Sequence, residues 1–173
     1  MRERIIQTAQ QMFLQYGIKR ITIDDIAKHL GISKNTFYAY FTSKDDLIAT
    51  KFEQDLTQAK ETLQQLAHRQ HEPLEHLLAL INFINGQLFR YSPSFLVDIH
   101  QQYREDWNKY LHFMETVLYP HLSQVLQEGI NTRVFREDIN ASIIAKGLVE
   151  LLKIPFNSNV YSPSVYDFGQ ISS

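Results

Sequence analysis

The polar side chains best suited to recognise another molecule lie in a short stretch, GISKNTFYAYF, that covers residues 31–41. Asn35 presents a donor and an acceptor that match N6 and N7 of adenine, and Thr36 can hydrogen-bond a base edge or a phosphate. Ala39 is small enough to let the backbone approach a thymine methyl group. On a helix, Asn35 and Ala39 share a face with Thr36 beside it, so this spacing predicts a surface that reads the major groove of DNA.

Four aromatic residues in the same stretch divide between two sides of that helix. Phe37 and Phe41 share one face, which predicts that they anchor the helix in a core with Ile32 packed against them. Tyr38 and Tyr40 have apolar rings with hydroxyl tips, which suit contacts with sugar and phosphate along the groove walls. The phenylalanines are therefore expected to hold the helix, and the tyrosines to position it on a nucleic-acid backbone.

Charge is distributed unevenly along the chain. The formal net charge is −2, yet residues 1–51 contain eight Lys and Arg against five Asp and Glu. Lys34 and Lys44 bring positive charge to the stretch, and the helices that begin near Thr22 and Lys44 offer backbone N–H groups to phosphates. A basic N-terminal third on an acidic remainder favours contact with a polyanion at one end only.

Capping residues define the helices that carry this stretch. Thr22 with Asp25 three residues later predicts a capping box, and Gly31 is expected to end that helix. Ser33 is predicted to cap the next helix and Ser43 the one after it. Two short helices joined by a tight turn form a helix-turn-helix, which places its second helix in the major groove. Such shapes also occur in proteins that never contact nucleic acid, so a helical ligand-binding or protein-docking module stays open as an alternative.

Apolar residues recur at helical spacing through the rest of the chain, and no segment reads as a strand. The predicted helices cover residues 4–16, 44–67, 73–89, 93–103, 106–128 and 139–154, followed by the first turns of one more from Val165 onward. Pro120 is predicted to kink the helix that contains it. The fold class is therefore all-α, with a three-helix head in residues 1–46 whose fourth helix runs into a helical bundle in residues 47–173.

Residues 4–47 resemble the N-terminal domain of the TetR family of bacterial transcriptional regulators. The residues that carry the resemblance are Thr22, Asp25, Ile26, Ala27, Gly31, Ile32, Ser33, Tyr38, Tyr40, Phe41, Ser43, Lys44 and Leu47. Family members commonly have Gly, Ala or Pro where this chain has Asn35. The later sequence LQEGINTRVFRED resembles the family's E-G-x-x-x-G-x-F-R turn, with Arg133 in place of the second glycine.

The resemblance implies a sequence-specific DNA-binding transcriptional regulator of the repressor type, which a small-molecule ligand releases from or modulates on its operator. It implies an all-helical, cytoplasmic homodimer that binds near-palindromic double-stranded DNA. The residues assigned to DNA are Thr22, Ser33, Lys34, Asn35, Thr36, Tyr38, Tyr40 and Lys44. By the resemblance, Lys34 and Asn35 match positions where bases are often read, while most of the others match positions that commonly touch the DNA backbone.

A largely apolar effector requires an apolar pocket with a few polar groups. The candidate ligand-binding residues in the bundle are Phe83, Gln87, Tyr103, Trp107, Tyr110 and Phe113. Gln87 and Asn85 are amides inside an otherwise apolar helix and need partners there, and Gly86 between them either opens space or permits close helix packing. Aromatic residues at helical spacing also pack simply as core. Because the long fourth helix joins bundle and head, a ligand that shifts it is expected to change the spacing of two heads.

The resemblance also implies that two chains pair through their last two long helices. The candidate dimerisation residues are Ile143, Gly147, Leu148 and Leu151 on the helix predicted at 139–154. The second pairing helix is expected to begin near Val165.

Other classes of protein find little support in the composition. The 173 residues include no cysteine, which excludes disulfides and thiolate metal sites. No apolar run reaches the roughly 20 residues that span a bilayer, so no membrane partner is predicted. Phosphate-binding loops and nucleophile motifs are lacking, so neither an enzyme nor a cofactor is predicted. His68, His71 and His76 are close in sequence, but histidines in a polar linker are usually solvated, and no metal site is predicted.

Overall fold

The computed structural model describes residues 1–68, 72–88 and 93–154, and the regular structure in these ranges is helical. Its elements are α1 (Arg2–Tyr16), α2 (Ile23–Leu30), α3 (Lys34–Tyr38), α4 (Lys44–His68), α5 (Pro73–Leu88), α6 (Pro93–Gln102), α7 (Arg104–Phe113), a π-helical turn (Met114–Leu118), α8 (Tyr119–Asn131) and α9 (Ala141–Leu151). The predicted all-α fold, with a helix-turn-helix head ahead of a bundle, is confirmed. None of the helices in these ranges combines the length and the hydropathy needed to cross a membrane.

The first hydrophobic core joins the head to α6. Its buried members are Ile5, Ile6, Ala9, Phe13, Ile18, Ile21, Ile26, Phe37, Phe41, Leu47, Ile48, Phe95 and Ile99. Most of them belong to α1–α4 and the turns between them, but Phe95 and Ile99 come from α6. The head therefore shares its apolar interior with the bundle and is connected to it by more than the continuous helix α4.

The second core fills the bundle. Its buried members are Leu63, Leu80, Met114, Leu118, Leu122, Val125, Leu126, Ala141, Ala145 and Val149. They come from α4, α5, the π-helical turn, α8 and α9, so α8 packs between α5 and α9. Burial of these side chains supplies the main favourable free energy of the bundle.

Two helix predictions needed correction at their ends. The helix predicted at 139–154 is shorter, because the Asn140 side chain accepts a hydrogen bond from the Ile143 N–H at 3.1 Å and caps the helix, so α9 begins at Ala141. It ends at Leu151. The first helix begins at Arg2, two residues before the predicted start. The turns predicted from Val165 lie outside the described residues.

The irregularity expected at Pro120 takes the form of a π-helical turn. Residues 104–131 are helical without interruption, but Met114–Leu118 forms a π-helical segment, and Pro120 follows at the start of α8. Proline has no N–H to donate to residue 116 and its ring crowds that carbonyl. A widened turn at this point accommodates both effects.

Helix α5 was predicted to be buried on more than one face, and this is wrong for one of its stripes. Leu74, Leu78 and Ile81 are 50%, 51% and 39% exposed. Among the described elements α5 packs mainly on α4 and α8, so residues at this spacing face away from both. Asn85 and Gly86 are also exposed, and the amide of Asn85 therefore needs no buried partner.

The turn after α8 keeps a left-handed residue where the sequence has arginine. Arg133 has φ 60°, a conformation that favours glycine. The carbonyl oxygen of Gly129 accepts hydrogen bonds from the N–H groups of Val134 at 2.8 Å and Phe135 at 2.9 Å. The chain thus folds back onto Gly129 and leads into α9.

Candidate DNA interface and effector cavity

Local hydrogen bonds fix the start of both helices in the helix-turn-helix. The Thr22 side chain accepts from the Asp25 N–H at 3.2 Å, and the Asp25 carboxylate accepts from the Thr22 N–H at 2.9 Å and its hydroxyl at 2.6 Å. These hydrogen bonds from Thr22 lower the pKa of Asp25. Gly31 ends α2 with φ 67°, and Ser33 caps α3 by accepting from the Thr36 N–H at 3.0 Å. The predicted caps are confirmed.

Helix α3 is held by two phenylalanines and presents two tyrosines. Phe37 and Phe41 are buried, with ring centroids 5.8 Å apart, as predicted. Tyr38 and Tyr40 are 50% and 43% exposed. A helix of this length has little stability of its own, so the buried phenylalanines determine which side chains face outward.

Six of the eight residues assigned to DNA lie together at the cap, on the helix or in the turn after α3. Asn35 is exposed and Thr36 is half-buried. The hydroxyl oxygens of Ser33 and Thr36 are 2.9 Å apart, so the Ser33 hydroxyl is engaged in the cap. Lys34 Nζ lies 2.7 Å from the Asp24 carboxylate, and both side chains are 59% exposed. An exposed pair of this kind is weak, and Lys34 can exchange Asp24 for a DNA acceptor.

Lys44, at the start of α4, contacts the turn between α1 and α2. Its Nζ donates hydrogen bonds to the carbonyl oxygens of Ile18 at 3.1 Å and Ile21 at 3.0 Å. These bonds hold the segment that leads into Thr22 and α2. Lys44 therefore has a structural task in the head besides the DNA contact predicted for it, and no local pattern in the sequence pointed to this task.

A cavity lies in the bundle beside the head. It encloses about 730 Å³, including its opening to solvent, within the usual range for small-molecule sites of about 300–1,000 Å³. Helices α4, α5, α6 and α7, the π-helical turn and the end of α9 line it. The lining residues are Phe52, Asp55, Leu56, Ala59, Phe83, Ile84, Gln87, Phe95, Ile99, Tyr110, Phe113, Met114, Leu118 and Leu152.

Four of the six predicted ligand residues line this cavity: Phe83, Gln87, Tyr110 and Phe113. Tyr103 and Trp107 do not, because they pack against the first core. The Tyr103 hydroxyl donates to Asp45 at 3.2 Å, and the Trp107 ring stacks on Tyr110 with centroids 5.4 Å apart. Helical spacing placed all six on one side of the bundle but could not separate cavity lining from core.

The polar groups of the cavity are few. The Asp55 carboxylate pairs with Lys51 Nζ at 2.7 Å, and the two side chains are 10% and 24% exposed. Gln87 supplies an amide, and burial raises the pKa of Tyr110 above its ordinary value, so its phenol stays neutral. A cavity of this composition suits a mostly apolar molecule with one or two polar groups.

Asp98 connects the wall of the cavity to the head. It is 7% exposed and accepts hydrogen bonds from the N–H groups of Ile18 at 3.1 Å and Lys19 at 3.4 Å. It lies between Phe95 and Ile99, which line the cavity from the same helix. Sequence reasoning missed this contact, since eighty residues separate Asp98 from Ile18 and no motif marks the pair.

The residues predicted to pair two chains lie on an exposed apolar face of α9. Ile143 and Leu151 are 69% and 58% exposed. A Cβ added at Gly147 would meet nothing within 4 Å. Leu148 is half-buried against the second core, so it supports the face from beneath. Large exposed apolar side chains in one patch mark an interaction surface.

Comparison with known proteins places the head and the whole fold in one group. A family model described as bacterial regulatory proteins, tetR family, matches residues 5–50. The HTH-type transcriptional regulator EthR of Mycobacterium tuberculosis is 40% identical over 63 residues, which cover 36% of this chain and 29% of EthR. The similarity is therefore strongest in the part that contains the helix-turn-helix.

Longer matches extend into the bundle. The uncharacterized HTH-type transcriptional regulator YvdT of Bacillus subtilis is 27% identical over 164 residues, which cover 87% of this chain and 78% of YvdT. The crystal structure of a transcriptional regulator from Cytophaga hutchinsonii has a TM-score of 0.73 at 19% identity and covers 98% of this chain and 88% of that chain. The architecture described above is thus shared along almost the full chain.

Proposed function

The chain belongs to the tetR family of bacterial regulatory proteins and is a helix-turn-helix transcriptional regulator, and we propose that it is a homodimeric repressor. In this proposal, two heads bind a near-palindromic operator in the bacterial cytoplasm, and a largely apolar small molecule releases them. Family membership disfavours the alternative of a docking module without DNA binding. The proposal assigns the chain no catalytic step.

One observation carries the DNA-binding role. The exposed Lys34, Asn35, Tyr38 and Tyr40 surround a helix whose opposite side is fixed by the buried Phe37 and Phe41. Asn35 is placed to bond adenine in the major groove, and the tyrosines flank it for sugar and phosphate contacts. In a dimer the two copies of α3 should meet successive major grooves, roughly 34 Å apart or somewhat more.

The proposed dimer rests on the exposed face of α9. Ile143 and Leu151 leave apolar surface in water that a second copy of the same helix can cover. A symmetric pair of chains also matches the symmetry of a near-palindromic operator.

The proposed effector site is the cavity beside the head. A ligand there touches Phe52, Asp55 and Leu56 on α4 and Phe95 and Ile99 on α6. Both helices continue to the head, α4 directly and α6 through Asp98. A ligand that fits only one position of these helices therefore favours one spacing of the two heads.

The DNA-binding proposal is tested by selecting bound sequences from a random duplex pool at two salt concentrations. We expect an inverted repeat whose affinity falls steeply with salt, because phosphate contacts release counterions. Asn35→Ala should change the selected sequence, while Asn108→Ala, an exposed asparagine on α7, should not. Recovery of no motif at either salt concentration would contradict the proposal.

The effector proposal is tested with 1-anilinonaphthalene-8-sulfonate, an apolar fluorescent probe. Ala59 is buried and lines the cavity, so Ala59→Leu should fill space and weaken probe binding. Ala67→Leu adds the same group at an exposed position of α4 and serves as the control. Equal probe binding by both variants and the wild type would exclude this cavity as the apolar site.

A further inference from the structure

Two histidines from different helices meet in the bundle. His76 of α5 and His121 of α8 have their Nε2 atoms 3.0 Å apart. Their ring centroids lie 5.1 Å apart, with the ring planes at 86°. Since the centroids are about two ring radii farther apart than the nitrogens, the two Nε2 atoms point toward each other. His76 is 8% exposed, so this meeting takes place inside the bundle.

We propose that His76 and His121 bind a divalent transition-metal ion that clips α5 to α8. Two nitrogens at about 2.0–2.1 Å from a tetrahedral ion lie about 3.3 Å apart. The observed separation is 3.0 Å, so a small rotation of either ring brings both lone pairs onto one ion. The two remaining positions on the ion are left for water or another small ligand.

The protonation state favours such a site near neutral pH. Burial, and then the neighbouring His76, lower the pKa of His121. A neutral imidazole has a free lone pair, and metal binding requires the neutral form. Imidazole nitrogen selects zinc, copper or nickel rather than magnesium or calcium. Among the described residues no group of three or more His, Cys, Asp and Glu could hold a metal, so the proposed site rests on two protein ligands.

The clip would join helices that also form the effector cavity. On α5, Phe83 and Ile84 lie two turns after His76 and line the cavity, and Leu118 lines it one turn before His121. A metal ion that fixes α5 against α8 would therefore fix two walls of the cavity. The site is independent of the DNA-binding proposal, since it uses no residue of the head.

The test measures zinc bound by the untagged full chain after treatment with a chelator, by equilibrium dialysis against zinc chloride. We expect one zinc ion per chain. His121→Gln should lower the affinity by roughly tenfold or more, because a single imidazole cannot chelate. Glutamine can still hydrogen-bond His76, which favours folding of this variant. His112→Gln, an exposed histidine of α7, should bind zinc like the wild type.

A second measurement guards against zinc bound elsewhere. The electron paramagnetic resonance spectrum of the chain with one equivalent of copper(II) should show coupling to two imidazole nitrogens, reduced to one in His76→Gln and in His121→Gln. The proposal is overturned if the wild type binds no zinc, or if His121→Gln binds it as tightly as the wild type. Either result means that the pair is only an N–H···N hydrogen bond between two neutral rings.

Discussion

Asp98 of α6 and Lys44 of α4 engage opposite backbone groups of one residue, Ile18. The Asp98 carboxylate accepts from the Ile18 N–H at 3.1 Å, and Lys44 Nζ donates to the Ile18 carbonyl at 3.1 Å. Ile18 is buried, so both groups would otherwise lack water. A turn of the DNA-binding head is thus held by a helix that lines the effector cavity and by the helix that enters the bundle.

Removal of the carboxylate should loosen the head. In Asp98→Ala the Ile18 N–H loses its acceptor in a buried place, which costs about 1–3 kcal/mol of unfolding free energy. Denaturant unfolding measures the loss, and hydrogen exchange at the Ile18 and Lys19 amides should become faster. Asp138→Ala removes an exposed carboxylate and should unfold like the wild type. Unchanged amide exchange in Asp98→Ala would show that the carboxylate does not hold the turn.

Asn35 should determine base preference at one position of the operator. Asn35→Ala removes the side chain that can bond adenine N6 and N7, so discrimination at one base pair should fall by about 1–3 kcal/mol. Competition between the selected operator and single-base variants, followed by fluorescence anisotropy, measures the change. If all operator variants weaken equally, Asn35 contacts the backbone and does not read a base.

Lys44 should contribute to affinity without affecting base preference. Lys44→Ala removes a positive charge near the DNA and the two hydrogen bonds that hold the Ile18 and Ile21 carbonyls. Binding to operator and to unrelated duplex should weaken by similar factors, because phosphate contacts carry no sequence information. Affinities for both duplexes at several salt concentrations check this. A change confined to the operator would reverse the roles assigned to Lys44 and Asn35.

The features that could be predicted from sequence are those fixed within a few residues. The cap at Thr22 depends on Asp25, and the cap at Ser33 depends on the N–H of Thr36, so the residue types and their spacing were sufficient. The division of Phe37 from Tyr38 follows from helix geometry alone. These local rules located the helix-turn-helix and its outward face.

The features that could not be predicted depend on contacts between distant segments. Asp98 and Ile18 are 80 residues apart, and His76 and His121 are 45 apart. Periodicity also grouped Trp107 with the cavity residues, although packing turned it onto the first core. Helical spacing gives the face of a residue, but only tertiary packing decides whether that face meets a cavity or another helix.

Gly129 should tolerate no side chain. A Cβ there would lie 2.1 Å and 2.2 Å from two ring atoms of Phe135. Gly129→Ala must displace that ring from the turn into α9, and overpacking of this kind typically costs about 1–3 kcal/mol. Gly86→Ala is the matched control, since a Cβ at that exposed helical position meets nothing within 4 Å. It should stabilise α5 by about 0.5–1 kcal/mol. Thermal unfolding of both variants measures the contrast, and equal effects would contradict it.

The capping box of α2 should make part of the stability depend on acid pH. Hydrogen bonds from Thr22 lower the pKa of Asp25 in the folded protein, while in the unfolded chain the value is about 3.9. A carboxyl whose pKa is lower when folded stabilises the protein above the unfolded pKa. That contribution is lost as the pH falls through the folded pKa. At pH 6–7 the full contribution is therefore present, and it declines below about pH 4.

Asp25→Asn removes this titration but keeps a side chain of similar shape. The wild type should be the more stable of the two near neutral pH, and the difference in unfolding free energy should shrink as the pH falls below about 4. Urea unfolding at a series of pH values and constant ionic strength measures the difference. Asp24→Asn, the exposed neighbour that pairs with Lys34, reports the effect of removing a charge at the same helix start without the cap. A difference between wild type and Asp25→Asn that stays constant from pH 7 to pH 3 would mean that the carboxylate of Asp25 contributes nothing to the cap.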